Sequence, residues 1–267
     1  MRTGLIAMGE VCPTGPGPPN SRSGGRSAGT VAAVIRRLLL WDVDGTLVRA
    51  GDLGAAVFDV ALEAVLGVRP DARVRMSGKT DPQIVRDYLV ALEVPETEGL
   101  VEAVLRSVEG HLAATAAEGE LVAGGTACPG TGEVLRRLAS DPRVASTLLT
   151  GNIAPNALVK VAAFGLDRWL DLSLGAYGSD EADRNLLVPV ALRRLAAERG
   201  VTLAPEDAWV IGDTPRDLEC ARAAGTRCLL VATGRYTVAA LKTLEPDAVL
   251  GDLSDTDGVI KLLTGDL

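Results

Sequence analysis

From residue 38 to the end of the chain, short apolar runs alternate with segments of helical hydrophobic periodicity. This alternation predicts an α/β fold, with a parallel sheet covered by helices on both faces. The predicted strands are residues 38–41, 144–149, 171–176, 208–212, 227–232 and 247–250. The predicted helices that pack on them are residues 131–140, 155–164, 186–199, 215–224, 237–244 and 256–263.

One interval breaks the alternation, because about a hundred residues separate the first predicted strand from the second. A crossover between parallel strands needs roughly a dozen residues or somewhat more, and structureless loops of such length are uncommon. Three helical patterns fill the interval, near residues 53–67, 82–92 and 96–118, and no strand is predicted there. We therefore expect a helical cap over residues 50–124, inserted into a core made of residues 34–49 and 125–267.

Residues 1–33 are rich in Gly, Pro, Ser and Arg and have no apolar period, which predicts a disordered tail. A transit peptide is an alternative, as is a start site placed too early, with Met8 as another start. The 267-residue chain carries a net charge of −8, which argues against a nucleic-acid surface. No apolar run approaches the length that spans a membrane. We therefore expect a cytoplasmic protein with neither nucleic acid nor membrane as partner, and its oligomeric state stays open.

The cysteines and the histidine exclude several chemistries. No two of the four cysteines have C-x-x-C spacing, and free thiols in a reducing cytosol are expected at Cys12, Cys128, Cys220 and Cys228. His111 is the only histidine and lies in a predicted helix, far from every strand end. Ser-His-Asp triads, two-histidine metal sites and histidine phosphatases are therefore excluded.

The segment LLLWDVDGTL, residues 38–47, places Asp42 and Asp44 at the end of the first predicted strand. Parallel sheets bind their ligands at the carboxyl ends of strands. Two neighbouring carboxylates repel each other unless a cation lies between them, and Mg²⁺ prefers oxygen ligands. One aspartate can then act as a nucleophile and the other can transfer protons. The alternative is a plain turn, since Asp and Gly are common turn residues.

Two further strand ends carry polar residues. The segment STLLTGN ends in Thr150, Gly151 and Asn152, where a hydroxyl and bare backbone N–H groups can hold phosphoryl oxygens. A polar cap before a helix is an equally good interpretation of that turn. In VIGDTPRD, Asp213 ends a buried strand, where a cation would relieve its crowding with the first two aspartates. Asp217 suits a capping-box partner for the residue three positions earlier.

A positive side chain completes the pattern. Arg184, between the third predicted strand and the following helix, can neutralise charge on a transferring phosphoryl group. The competing interpretation is a surface arginine paired with Asp180, Glu181 or Asp183. Arg193 and Arg194 lie within the helix and are predicted to face solvent.

These segments resemble the haloacid dehalogenase (HAD) superfamily of phosphatases over residues 38–262. DVDGTL is similar to its motif I, LLTGN to motif II and VIGDTPRD to motif IV. The segments at residues 77–89 and 128–152 resemble the phosphoglycolate-phosphatase-like branch. The resemblance implies a Rossmann-like, three-layer parallel-sheet core with an inserted all-helical C1 cap domain.

The resemblance also implies site roles. Asp42 would attack phosphorus, and Asp44 would protonate the leaving alcohol and then activate water. Thr150, with the backbone around Gly151 and Asn152, would hold the phosphoryl group. The implied Mg²⁺ ligands are the Asp42 side chain, the Asp44 backbone carbonyl and Asp213, and Asp217 would support the metal site from behind these ligands or through water. Arg184 stands where the family usually has a lysine, often in a K-P-x-P setting that this chain lacks.

The function implied is a Mg²⁺-dependent phosphatase that acts on a small phosphorylated metabolite. Lys79 and Thr80, in the cap segment SGKTDPQ, are candidate contacts to the leaving group, although a helix start at Asp81-Pro82 also explains this segment. A phosphosugar mutase is the first alternative, and a non-catalytic binding protein on the same fold is the second. A nucleotide-binding dehydrogenase is disfavoured, because no G-x-G-x-x-G follows a strand.

Overall fold

The computed structural model describes residues 35–71, 73–265 and 267, and the predicted tail over residues 1–33 lies outside them. The strands are β1 Arg37–Trp41, β2 Val48–Arg49, β3 Thr126–Ala127, β4 Val144–Thr150, β5 Ala176–Tyr177, β6 Ala208–Gly212, β7 Arg227–Val231 and β8 Ala248–Leu250. The helices are α1 Leu53–Leu66, α2 Asp81–Ala91, α3 Glu98–Ala117, α4 Glu120–Gly124, α5 Thr131–Leu138, α6 Ala154–Ala163, α7 Leu187–Arg199, α8 Pro215–Ala224, α9 Val238–Lys242 and α10 Thr256–Thr264.

The six-stranded sheet has the order β5-β4-β1-β6-β7-β8, and every neighbouring pair is parallel. β1 lies between β4 and β6, and Trp41 at its end is in register with Leu148 and Ile211. All five residues of β1 are buried, because strands flank it on both edges and helices cover both faces. The carboxyl ends of β4, β1 and β6 therefore lie side by side.

Alternate residues of β1 contribute to two hydrophobic clusters on opposite faces of the sheet. Leu39 and Trp41 pack in the cluster that contains α5, α6 and α10. Leu38 and Leu40 pack in the cluster that contains α7, α8 and α9. The prediction of an α/β, Rossmann-like core with helices on both faces is confirmed.

Helices α1, α2 and α3 share a third hydrophobic cluster, built around residues such as Phe58, Tyr88 and Val104. The prediction that no strand occurs between the first two core strands is wrong, because β2 pairs with β3 in antiparallel register at the two ends of this insertion. Two-residue strands have no readable hydrophobic period, and their pairing depends on contacts between distant segments. The short helix α4 was also not predicted. The cap boundaries at residues 50 and 124 stay a prediction.

The predicted strand over residues 171–176 is wrong for most of its length. Leu172–Leu174 forms a 3-10 helix, and β5 contains only Ala176 and Tyr177. The hydrogen bonds from Leu174 N–H to the Asp171 carbonyl and from Gly175 N–H to the Leu172 carbonyl produce this turn. An L-x-L pattern at a sheet edge fits a strand or a tight helical turn equally well, so the apolar period could not decide between them.

The cysteines of the described residues are free thiols. Cys128, Cys220 and Cys228 are all buried. Burial raises the pKa of the Cys220 thiol to about 12, so this group stays protonated at neutral pH. Among the described helices, none combines the length and apolar character needed to cross a lipid bilayer.

Candidate active site

The parallel pairing of β1 with β6 brings together the aspartates that follow these two strands. Asp42 follows β1 and Asp213 follows β6, while Asp217 lies in the first turn of α8. One carboxylate oxygen of each lies within 4.8 Å of the others, and all three side chains are buried. Gly45 permits this packing, because it has a φ of 87° and a Cβ there would lie 2.5 Å from an Asp213 oxygen.

This cluster fits a divalent cation. The buried Oδ1 atom of Asp213 accepts no hydrogen bond from any described residue, although buried polar atoms are normally paired. Burial, reinforced by the anions Asp217 and Asp42, raises the pKa of Asp213 to about 9. Burial likewise raises the pKa of Asp42 to about 6, against the lowering effect of Arg184. A hard cation with oxygen ligands would offset this repulsion, so the donor set suits Mg²⁺.

Arg184 provides the positive charge of the site. Its guanidinium lies 3.2 Å from Asp42 and forms a shorter ion pair with Asp217. Burial alone would lower the pKa of Arg184, but Asp217 and Asp42 outweigh it and raise the pKa above its usual value. The surface pairing considered for this residue is therefore wrong, since the side chain is only 4% exposed and faces the aspartates.

Asp180 is paired with Arg194 instead, at 2.7 Å. The prediction that Arg194 faces solvent is wrong, because its side chain is only 35% exposed and also donates to the Gly175 carbonyl. Arg193 is exposed, in agreement with the sequence. A helical position alone does not fix the direction of so long a side chain, which follows the nearest carboxylate.

Asp217 combines two contacts. Its carboxylate accepts hydrogen bonds from the backbone N–H of Thr214 at 2.9 Å and from the Thr214 hydroxyl at 2.7 Å. These bonds are the capping contacts anticipated from the sequence. Its other oxygen pairs with Arg184. Asp217 therefore fixes the start of α8 and also orients the arginine toward Asp42.

The end of β4 forms the opposite wall of the site. Thr150 is 1% exposed, and its Oγ1 atom accepts hydrogen bonds from the backbone N–H and the Nδ2 atom of Asn152. Gly151 leaves no room for a side chain, because a Cβ there would lie 2.1 Å from the Lys79 carbonyl oxygen. Thr150, Gly151 and Asn152 all line the same cavity as Asp42.

The structure adds one residue that the sequence-based reasoning missed. Lys160, in α6, is 6% exposed, and its Nζ atom lies 2.6 and 2.9 Å from the two oxygens of Asp44. It also donates to Asn152 Oδ1 at 2.7 Å. The available signal was its position between Ala157 and Val161, on the face of α6 that packs against the core. A charge on a buried helical face is rarely without a partner.

The helical insertion reaches the site through the segment that begins α2. Lys79 lines the cavity and forms an ion pair with Asp87. Thr80 is fully buried as the N-cap of α2, and its hydroxyl donates to the Ala182 carbonyl at 2.7 Å. Thr80 is not among the described residues that line the cavity, unlike its neighbours Lys79 and Asp81, so the substrate contact that the sequence suggested for it stays a prediction.

Asp81 attaches this segment to the core. Its Oδ2 atom accepts hydrogen bonds from Ile153 N–H at 2.8 Å and from Asn156 Nδ2 at 3.3 Å. Burial raises the pKa of Asp81 to about 6, while the Lys160 cation lowers it. Because the pKa of Asp81 is higher in the folded than in the unfolded chain, the protonated carboxyl favours the folded state. This contribution to the free energy of unfolding is fully present below about pH 4 and is lost as the pH rises through about 6.

We expect Asp81→Asn to remove this pH dependence, because the amide oxygen still accepts the Ile153 hydrogen bond but carries no charge. Relative to the parent, the free energy of unfolding of the variant should rise by about 2 kcal/mol between pH 4 and pH 8. Urea unfolding at both pH values measures this change. Asp257→Asn, at a side chain that is 88% exposed, is the surface control. An equal difference from the parent at both pH values would contradict the assignment.

A cavity of about 640 Å³ connects these groups. Asp42, Asp213 and the β4 end line it on the core side, and apolar side chains such as Phe58, Met76 and Ile84 line the side formed by the helical insertion. Arg49 and Arg235 also line it. The cavity can hold a small molecule with its anionic end at the strand ends and its remainder against the insertion.

Comparison with known proteins finds haloacid dehalogenase-like proteins among the matches. A family model described as HAD-hydrolase-like matches residues 186–256. Over 234 residues the chain is 26% identical to Probable phosphatase IndB of Dickeya dadantii (strain 3937), covering 86% of this chain and 95% of that protein. A crystal structure of CbbY from Rhodobacter sphaeroides in complex with phosphate has 22% identity and a TM-score of 0.63, covering 83% of this chain and 96% of that chain. A putative beta-phosphoglucomutase from Bacteroides vulgatus has 17% identity and a TM-score of 0.62, covering 87% and 90%.

The parallel sheet with carboxylates at its strand ends agrees with these matches. The comparisons support a hydrolase similar to the haloacid dehalogenase superfamily, and its curated relative is named a probable phosphatase. The resemblance drawn from the motifs at Asp42, Thr150 and Asp213 is thereby confirmed at the level of the superfamily. Membership of the phosphoglycolate-phosphatase-like branch stays a prediction.

Proposed function

We propose that this protein is a Mg²⁺-dependent phosphatase that hydrolyses a small phosphomonoester through an aspartyl-phosphate on Asp42. The observation that carries the proposal is the buried cluster of Asp42, Asp213 and Asp217, in which Arg184 pairs with Asp42 and Asp217. Asp42, Asp213 and Arg184 line a cavity. Phosphoryl transfer depends mainly on positioning and on charge neutralisation. The site provides both without histidine.

The chain's own residues account for two successive displacements. In the first, an Asp42 oxygen bonds to phosphorus, the bond from phosphorus to the leaving oxygen breaks, and Asp44 gives that oxygen a proton. In the second, Asp44 takes a proton from water as the water oxygen bonds to phosphorus, and the bond from phosphorus to Asp42 breaks. Arg184 and Thr150 hold the phosphoryl oxygens. Asp42, Asp213 and the Asp44 carbonyl would hold Mg²⁺, with support from Asp217, and the bound ion would supply positive charge that offsets the charge of the phosphoryl oxygens.

The substrate we propose is a small phosphorylated metabolite, since the cavity is closed on one side by the helical insertion over residues 50–124, which acts as a cap. A protein of the same fold, CbbY, has been crystallised in complex with phosphate, and this supports a phosphorylated substrate for this chain. The proposed location is the cytoplasm, as the sequence suggested.

A phosphosugar mutase is the second candidate, because a putative beta-phosphoglucomutase has the same fold over 87% of this chain. A mutase would move the phosphoryl group between hydroxyls of one sugar, whereas a phosphatase releases it to water. A non-catalytic protein on this fold is the remaining alternative, and it would do neither.

The test is release of inorganic phosphate from a panel of phosphomonoesters that includes glucose 1-phosphate, measured with Mg²⁺ and with EDTA. We expect release that requires Mg²⁺ and falls to background with EDTA. Conversion of glucose 1-phosphate to the 6-phosphate without release would favour the mutase. No turnover of any ester by a folded protein that binds Mg²⁺ would favour the non-catalytic alternative.

A further inference from the structure

The Asp44 carboxylate is held by side chains that belong to other elements. Lys160 Nζ donates to both of its oxygens, and Asn152 Nδ2 donates to Oδ2 at 2.7 Å. Asn152 in turn accepts a hydrogen bond from Lys160 at 2.7 Å. The three side chains thus form a closed set of hydrogen bonds at the cavity wall.

Lys160 is poorly explained as a packing residue. Its neighbours on the same face of α6, Asn156, Ala157 and Val161, are buried, and a plain core helix would carry an apolar residue in its place. Burying an ammonium is costly unless it is paired. Its partner, Asp44, is 43% exposed on the turn after β1, so the pair joins a buried cation to a side chain that would otherwise rotate in solvent.

The direction of the lysine supports this role. Side chains in a helix point toward the N-terminus, and α6 begins immediately after the β4 end that lines the cavity. Lys160, two turns into α6, therefore points back to the strand ends. Asn152, which precedes the helix, meets it there. Lys160 contacts Asp44, whereas Arg184 contacts Asp42.

We propose that Lys160, together with Asn152, is a positioning residue that holds Asp44 in the single orientation from which it exchanges protons with the leaving oxygen and with water. This inference rests on the proposed function. Lys160 does not itself form or break a bond to phosphorus. Its loss should impair the two steps that need Asp44 while leaving substrate affinity nearly unchanged.

The experiment compares Lys160→Met, which keeps the length of the side chain, with Lys160→Arg, which keeps the charge. Lys261→Met, at an exposed position of α10, is the surface control. The substrates are the best alkyl phosphate of the panel and p-nitrophenyl phosphate, whose leaving group needs no proton. Circular dichroism establishes that each variant is folded, and Lys160→Gln replaces the methionine variant if that one is not.

For the alkyl phosphate, Lys160→Met should lower kcat by about 10²-fold, the lower range of a proton-transfer contribution, with KM changed less than about threefold. For p-nitrophenyl phosphate, a rapid burst of nitrophenolate should remain and be followed by slow turnover, because only the second step needs Asp44. Lys160→Arg should recover most of the activity. A rise in KM alone, equal losses in burst and turnover, or no recovery by arginine would overturn the proposal.

A measurement independent of turnover separates this inference from the proposed function. Crystal structures of the parent and of Lys160→Met should contain Asp44 in one orientation in the parent and in several in the variant. An unchanged Asp44 orientation in the variant would overturn the positioning role even if the protein is an active phosphatase. Absence of activity in the parent would instead refute the proposed function, and the crystal structures would still decide whether Lys160 orients Asp44.

Discussion

Asp42→Asn is expected to lower the steady-state rate of phosphate release by about 10⁴- to 10⁶-fold, the range seen when a nucleophile is removed from an enzyme. Asparagine has nearly the shape of aspartate, so it fits a position that is 4% exposed. Its amide group is a poor nucleophile and cannot form the acyl phosphate. The substitution leaves unchanged Arg184 and Thr150, the groups proposed to hold the phosphoryl oxygens.

The measurement uses the best ester of the panel at saturating Mg²⁺, with the variant purified by a route that excludes traces of parent enzyme. Asp257→Asn makes the same chemical exchange at an exposed side chain of α10 and should keep full activity. Residual activity within tenfold of the parent would remove Asp42 from the role of nucleophile. Binding of inorganic phosphate by the variant, measured by calorimetry, would establish that the site is still assembled.

The core elements could be predicted because their signals are local. Strands such as β1 and β6 are buried on both faces and appear in the sequence as uninterrupted apolar runs, and α8 is bounded by Pro215 and by Gly225, which has a φ of 73°. The failures at residues 171–176 and at the β2–β3 pair occur where two or three residues form an element. Such short elements depend on their partners more than on their own period.

The aspartates of the site could be predicted for a related reason. A residue that directly follows a strand lies at the carboxyl end of that strand. Asp42 and Asp213 therefore become neighbours once β1 and β6 are adjacent and parallel. No comparable rule predicts from the sequence which carboxylate a long charged side chain will pair with. Arg184 could pair with the nearby Asp180 or with the distant Asp42, and only the fold decides between them. Lys160 was missed because its partner, Asp44, is 116 residues away in the chain.

The second large effect concerns stability. Arg184→Met is expected to lower the free energy of unfolding by about 3–5 kcal/mol in EDTA, the usual cost of removing one partner of a buried ion pair. Its side chain is 4% exposed and touches both Asp42 and Asp217. Without it, three buried carboxylates would share one space with no cation among them. Guanidinium unfolding followed by circular dichroism measures the loss.

Added Mg²⁺ should reduce this deficit, because a cation that binds the folded site offsets the same repulsion and stabilises the folded state by mass action. Arg194→Met is the matched control: its ion pair with Asp180 is at 2.7 Å, but its side chain is 35% exposed. A pair of that exposure contributes about 1 kcal/mol or less, and its loss should not respond to Mg²⁺. Equal losses for the two arginine variants, or a deficit of Arg184→Met that Mg²⁺ leaves unchanged, would mean that Arg184 does not balance the charge of a metal site.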